Sequence, residues 1–213
     1  MLINDKDLYQ FSEYMPQIDL SFHQYLLLTD EPLLVHTGNI NQAKEMLPKL
    51  TEVLSGKDLK YIFISHFEAD ECGGLSLVLE LYPDAKIICS QTTAQQLIGF
   101  GLIDYSQTVV KEPGEKLLTN DYELEFFSYP SEMHLWEGLL LMDNQRKIFF
   151  SSDLMLEFGQ EIGSVKESDW TTEVNNISRE QIPDPDKLAQ LKKVLLKLDP
   201  NFVATGHGPC LKL

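Results

Sequence analysis

At 213 residues the chain is long enough for one sizeable core and short for two full domains, so one domain over residues 1–213 is expected. A formal charge of -16, from 33 acidic and 17 basic side chains, repels phosphate backbones and anionic lipid and argues against nucleic acid or a membrane surface as partner. No apolar stretch reaches transmembrane length, and Met1 to Tyr14 lacks the basic-then-apolar order of a secretory signal. Cys72, Cys89 and Cys210 have no paired zinc-type or redox-type spacing, which predicts a reducing, cytoplasmic home.

In chain order, apolar and alternating runs predict strands at residues 2–9, 21–28, 32–36, 60–64 and 86–89, then at 122–129, 138–142, 147–150 and 202–204. Helical periodicity marks 41–54, where Ala43, Met46, Leu47, Leu50 and Leu54 share a face, and also 75–81, 92–100 and 186–198. Residues 157–185 are polar and aperiodic, with a helix expected around 177–181, and form the segment predicted to be most variable. Strands followed by helices in both halves predict an α/β layered sandwich with two central sheets.

The run Ser65-His66-Phe67-Glu68-Ala69-Asp70-Glu71 places four metal-ligand residue types directly after an apolar strand. In an extended loop side chains alternate, so His66, Glu68 and Asp70 converge on one face, with Glu71 beside them on the turn into Gly73 and Gly74. His134, Asp153 and His207 each follow a strand-like stretch, where a sheet aims side chains at a common point. Seven such groups suit two metal ions better than one.

His66-x-Glu68-x-Asp70 with His134, Asp153 and His207 at these separations resembles the di-iron signature of the flavodiiron proteins within the metallo-β-lactamase fold. The resemblance covers nearly the whole chain, including Ser21-Phe22-His23-Gln24-Tyr25, Pro130-Ser131-Glu132-Met133-His134, Ser151-Ser152-Asp153 and Thr205-Gly206-His207-Gly208-Pro209. It implies a four-layer αββα sandwich holding two iron ions joined by an oxo or hydroxo bridge. His66, Glu68 and His134 would bind one metal, Asp70 and His207 the second, and Asp153 both. Hydrolytic members of the fold usually carry a histidine where Glu68 stands; a carboxylate hardens the site toward iron or manganese.

Two departures from the family pattern bear on function. Glu71 stands where flavodiiron proteins typically have a histidine on the second metal; it either takes that role or leaves an open position. The sequence also ends at Leu213 with no glycine-rich phosphate loop, so no FMN site is expected here and electrons would come from a separate protein. In this the chain resembles the oxygen-binding di-iron proteins, for which an oxygen-sensing role has been proposed.

The resemblance thus implies a protein that binds dioxygen or nitric oxide, as a sensor or as an oxidoreductase served by an external redox or signalling partner, with a homodimer as a family-based expectation. The rival reading is a binuclear hydrolase acting on a thioester, phosphodiester or lactone through metal-activated water. Of the remaining residues, His23 resembles a histidine near the open face of the metal pair, the alternative being plain burial. His36 reads as structural, hydrogen-bonded to the ligand loop, and Tyr25, Tyr129 and Trp136 read as pocket lining or core. The face of Lys187, Lys192, Lys193 and Lys197 reads as solvated.

Overall fold

The computed structural model describes residues 1, 3, 7–130 and 137–213. Strands β1 (Leu8–Met15) and β2 (Leu20–Leu27) form an antiparallel hairpin closed by residues 16–19, in which Met15 faces Leu20. β3 (Leu33–Val35), β4 (Tyr61–Phe63), β5 (Lys86–Cys89) and β6 (Thr108–Val110) continue the sheet in sequence order, parallel from β3 onward. The crossovers carry α1 (Ile40–Leu54), the single turn α2 (Ala69–Cys72), α3 (Leu75–Leu81) and α4 (Gln91–Gly99). α1 starts at a reciprocal cap, Asn39 accepting from the Gln42 backbone while the Gln42 side chain accepts from Asn39.

The second sheet contains β7 (Lys116–Leu118), β8 (Glu123–Tyr129), β9 (Gly138–Asp143), β10 (Ile148–Ser152), β11 (Val165–Glu167), β12 (Phe202–Thr205) and β13 (Cys210–Lys212), in the order β11-β13-β12-β10-β9-β8-β7. Helices α5 (Trp170–Asn176) and α6 (Pro185–Leu195) pack on it, and the Trp170 indole donates to the Leu195 carbonyl at 2.9 Å.

Strand alternation sorts the core into three layers. Leu26, Leu34, Ile62 and Ile87 face outward onto α1, α3 and α4, against Met46, Leu50, Leu75 and Leu97. Their neighbours Leu27, Leu33, Val35, Phe63 and Ile88 face inward and meet Leu124, Phe126, Leu139, Leu141 and Phe150 of the second sheet. Phe127, Leu140, Met142, Phe149 and Val203 point the other way, onto Trp170, Val174, Leu191 and Leu195. The result is helix, sheet, sheet, helix, the αββα order that the family resemblance implies. Sheets covered on both faces explain why Leu33-Leu34-Val35 and Leu139-Leu140-Leu141-Met142 read as unbroken apolar runs.

Several expectations are corrected. The first strand lies at Leu8–Met15 rather than 2–9, because its pairing is set by β2 through a turn that brings Asp19 to φ 52°. The helix expected around 177–181 lies instead at Trp170–Asn176, where Asp169 caps it by accepting from the Thr172 N–H, and 177–181 runs through turns. The short strands β6, β7, β11 and β13 were not legible, because, unlike the equally short β3 and β4, none has more than two apolar residues in a row.

Candidate metal centre

The described ligand-type residues gather where β4, β10 and β12 end at a common rim between the two sheets. β10 and β12 are parallel neighbours, Ser152 beside Thr205, so Asp153 and His207 leave the sheet side by side. The start of β9 is sewn to the first loop by Leu139 N–H donating to the Ser65 carbonyl at 2.8 Å. Gly138 makes this approach feasible: a Cβ there would lie 2.4 Å from the Ser65 oxygen and 2.8 Å from the His66 Cβ.

His66 is fully buried, and its Nε2 faces Glu68 Oε2 at 3.3 Å, Asp153 Oδ2 at 3.5 Å and Glu71 Oε2 at 3.7 Å. His207 Nε2 faces the other oxygen of Asp153 at 3.4 Å and Asp70 Oδ2 at 3.5 Å. Asp153 therefore spans two imidazoles, one oxygen to each. Two groups of donor atoms result, His66 with Glu71 and Asp153, and Asp70 with Glu71 and His207, each within 4.8 Å of one another. Glu71 belongs to both.

Local structure accounts for this convergence differently from the sequence reading. Glu68 is extended, as expected, at φ -138° and ψ 163°, but it immediately opens α2. Asp70 and Glu71 are thus aimed by a helical turn, not by continued alternation, and that turn carries Glu71 inward. Gly74 lets α3 press on α1, since a Cβ there would meet the Ala43 Cβ at 2.3 Å.

The electrostatics are those of a site built around cations. Burial, then the Asp153 and Asp70 carboxylates, hold the Glu71 carboxyl well above its usual range, and Glu71 Oε2 is buried without a hydrogen-bond partner among the described residues. Asp70 is raised by burial and by Asp153. Burial alone would lower His207, but Asp153 and Asp70 raise it. Carboxylates crowded this closely in low dielectric call for compensating positive charge, so the residues present fit divalent metal ions. Each histidine is also held from behind, with His66 Nδ1 2.9 Å from Ser65 Oγ and His207 Nδ1 3.0 Å from the Ser21 carbonyl.

A 410 Å³ cavity lined by Leu20, Phe22, Asn39, Glu68, Asp70 and Leu156 opens onto Asp153 and His207. Phe22 packs edge-on against His207 and Tyr129 edge-on against His66, ring centroids 4.8 and 5.2 Å apart. These aromatics border the site, whereas Tyr25 is committed to the interior, its hydroxyl donating to the Thr205 carbonyl at 2.7 Å.

The other expectations divide. His134 and Trp136 lie outside the described residues. His23 sits outside the donor groups, its ring nitrogens 2.7 Å from Ser12 Oγ and 2.8 Å from the Gly208 carbonyl, so it braces the His207 loop. His36 is buried, but its ring stacks beside Phe63 and its Nε2 has no partner among the described residues, so the expected hydrogen bond to the ligand loop is corrected. The Cys72 thiol donates to the Glu68 carbonyl and burial pushes its pKa up to about 12, as suits a core residue. Sequence reasoning missed Ser65 and Ser152; the only signal was a small hydroxyl residue directly before His66 and before Asp153.

A family model described as ODP family beta lactamase matches residues 20–208. Among curated relatives, the putative diflavin flavoprotein A 2 of Nostoc sp. is 23% identical over 218 residues, covering 97% of this chain and 36% of that protein. The nitric oxide reductase of Moorella thermoacetica is 26% identical over 145 residues, covering 68% of this chain and 35% of that protein. A mutant flavo di-iron protein from Thermotoga maritima superimposes with TM-score 0.81 at 20% identity, over 99% of this chain and 57% of that one. The rubredoxin oxygen:oxidoreductase of Desulfovibrio gigas does so with TM-score 0.79 at 19% identity, over 100% and 57%. The chain thus spans about a third of the length of these curated relatives. The likeness establishes the metallo-β-lactamase-like fold.

Proposed function

From the premise that the chain belongs to the ODP beta-lactamase family, we propose that its histidine and carboxylate cluster holds two iron ions and binds dioxygen or nitric oxide. The observation that carries this reading is the donor set: Glu68, Asp70, Glu71 and Asp153 surround only two described histidine nitrogens, a balance that suits iron better than zinc. His66, Glu68 and His134 would hold one ion, Asp70, Glu71 and His207 the other, and Asp153 both. Bound ferrous iron would supply the electrons and the open coordination position that a diatomic ligand needs.

The chain's own residues do the rest. The Ser65 hydroxyl and Ser21 carbonyl fix the two histidines so that each presents Nε2 to the site. Phe22, Leu20 and Leu156 wall the cavity with apolar surface, which admits a small neutral molecule and limits water. Burial and the Asp153 and Asp70 carboxylates raise the Glu71 carboxyl, and a bound cation would offset that rise and favour its ionised form as ligand. Sustained reduction needs a supply of electrons to the site, whereas ligand binding alone suits a sensor.

The test is to load the protein anaerobically with ferrous iron, measure metal per chain, and record optical spectra before and after adding air-saturated or nitric-oxide-containing buffer. Two irons per chain and a new charge-transfer absorption are expected. Tight zinc binding with no spectral response, together with cleavage of a thioester or lactone, would replace this reading with the hydrolase.

A further inference from the structure

Two buried serines, neither a ligand type, link His66 to Asp153 from behind the site. His66 Nδ1 is 2.9 Å from Ser65 Oγ, Ser65 Oγ is 2.9 Å from Ser152 Oγ, and Ser152 Oγ reaches Asp153 Oδ1 at 3.5 Å. Ser65 and His66 are fully buried, with Ser152 and Asp153 at 3% and 6% exposure, so water does not compete for these contacts. We propose that Ser65 and Ser152 form a directed hydroxyl relay that sets the orientation of His66 and of Asp153 together. It rests on the reading of His66 and Asp153 as metal ligands, though not on the metal being iron.

The direction follows from proton counting. A metal taken at His66 Nε2 uses that lone pair, so the neutral ring carries its proton on Nδ1 and donates to Ser65 Oγ. The single Ser65 proton is then left for Ser152, and that of Ser152 for the Asp153 carboxylate, which has none of its own to give. Each hydroxyl accepts once and donates once.

The backbone holds the relay in place. Ser65 follows β4 of the first sheet and Ser152 ends β10 of the second, so the chain of hydroxyls bridges the sheets behind the site. Ser152 is held at φ 49°, in the left-handed region that non-glycine residues avoid, while its carbonyl accepts from the Gly206 N–H at 2.9 Å. Such a strained conformation persists where its surroundings over-determine it. Because the links are in series, breaking either one disturbs both ligands.

The experiment uses zinc-loaded protein with ¹⁵N-labelled histidine, which is diamagnetic and requires no oxygen reactivity. Proton-detected NMR follows the His66 Nδ1–H, and chelator competition follows zinc affinity. Ser65→Ala should abolish the protected Nδ1–H signal. Ser152→Ala should shift the same signal and hasten its exchange although Ser152 does not touch His66. Each alanine variant should lose about 10- to 100-fold in zinc affinity, and the double variant no more than the worse single one. An unmoved His66 signal in Ser152→Ala, losses that multiply, or a ring proton found on Nε2 would overturn the relay. Metal-free unfolding curves separate these outcomes from misfolding, and Ser152→Gly, which also lacks the hydroxyl and suits the left-handed backbone there, replaces Ser152→Ala should that variant not fold. A relay signature in a protein inert to oxygen would sink the di-iron reading and leave the relay standing.

Discussion

Glu71→Gln keeps the volume of the side chain and removes its titration, which makes it the sharpest probe of the buried acid. In metal-free protein Glu71 is held well above its usual value of 4.5, by burial first and then by Asp153 and Asp70. A raised acid keeps its proton in the native state after the unfolded chain has released it. Its contribution to stability is full below 4.5 and is lost as pH rises toward the folded value, at about 1.4 kcal/mol per pH unit. His23 and His36, lowered by burial from 6.5 to about 4 and about 3, act with the opposite sign. Below 6.5 the unfolded chain binds protons that these rings refuse, so their effect is to raise stability with pH. The wild-type curve mixes these slopes, and only its difference from Glu71→Gln isolates the acid. From pH 4.5 upward, until the folded carboxyl itself titrates, the metal-free variant should gain on wild type by up to about 1.4 kcal/mol per pH unit, which is about 3–6 °C in Tm per unit for a chain of this length. Thermal unfolding of chelator-stripped protein followed by circular dichroism across that range measures it. Parallel wild-type and variant curves would refute the argument that Glu71 is a strained, protonated acid waiting for a cation.

With metal bound the order should invert, Glu71→Gln losing a ligand and binding dications about 10- to 100-fold more weakly in chelator competition. Glu71→His exchanges an anion for a neutral ring and should raise the reduction potential of the iron-loaded site by on the order of 60 mV or more, about a tenfold bias for one electron; an unchanged or lower potential in a redox titration counts against Glu71 as a ligand. Gly138→Ala forces a methyl to within 2.4 Å of the Ser65 oxygen, so it should cost about 1–3 kcal/mol in urea unfolding and weaken metal binding as the His66 loop shifts. Arg146→Met leaves the buried Asp143 without the guanidinium now 2.8 Å away; a loss of about 3–5 kcal/mol is expected, and one below about 1 kcal/mol would show the pair to be dispensable.

Most of the layering was legible because strand alternation is a local property. Leu33-Leu34-Val35 announces a strand buried on both faces, and Ala43, Met46, Leu50 and Leu54 announce the face α1 turns to it. The short strands were not, because three residues such as Val165, Lys166 and Glu167 carry no pattern and are strand only through pairing with Cys210 to Lys212. The donor residues could be named from their spacing, but not how they are aimed. That Glu71 turns inward depends on α2 beginning at Ala69, and four residues are too few to show a helical period. His36 and His23 show the converse limit. Nothing in the sequence tells a histidine stacked beside Phe63, or one gripped by Ser12 and Gly208, from one that binds a metal.

The carboxylate count also bears on why this fold would carry redox rather than hydrolytic chemistry here. Two dications bring four positive charges, and in the proposed site Glu68, Asp70, Glu71 and Asp153 bring four negative ones. Hydrolysis by a binuclear site needs a water acidified by unbalanced positive charge, and each anionic ligand makes that water a weaker acid at neutral pH. A site brought to neutrality is a poor generator of hydroxide. The same balance lowers the penalty of keeping two cations in the buried seam between the sheets, and it favours loss of an electron, since the carboxylates stabilise the higher charge left behind. An imidazole at Glu71 would shift both properties at once, toward more acidic water and more reluctant oxidation. A Glu71→His variant that gains esterase activity while its iron becomes harder to oxidise would tie the two chemistries to one side chain. Gain of neither would place the control of reactivity elsewhere in the donor set.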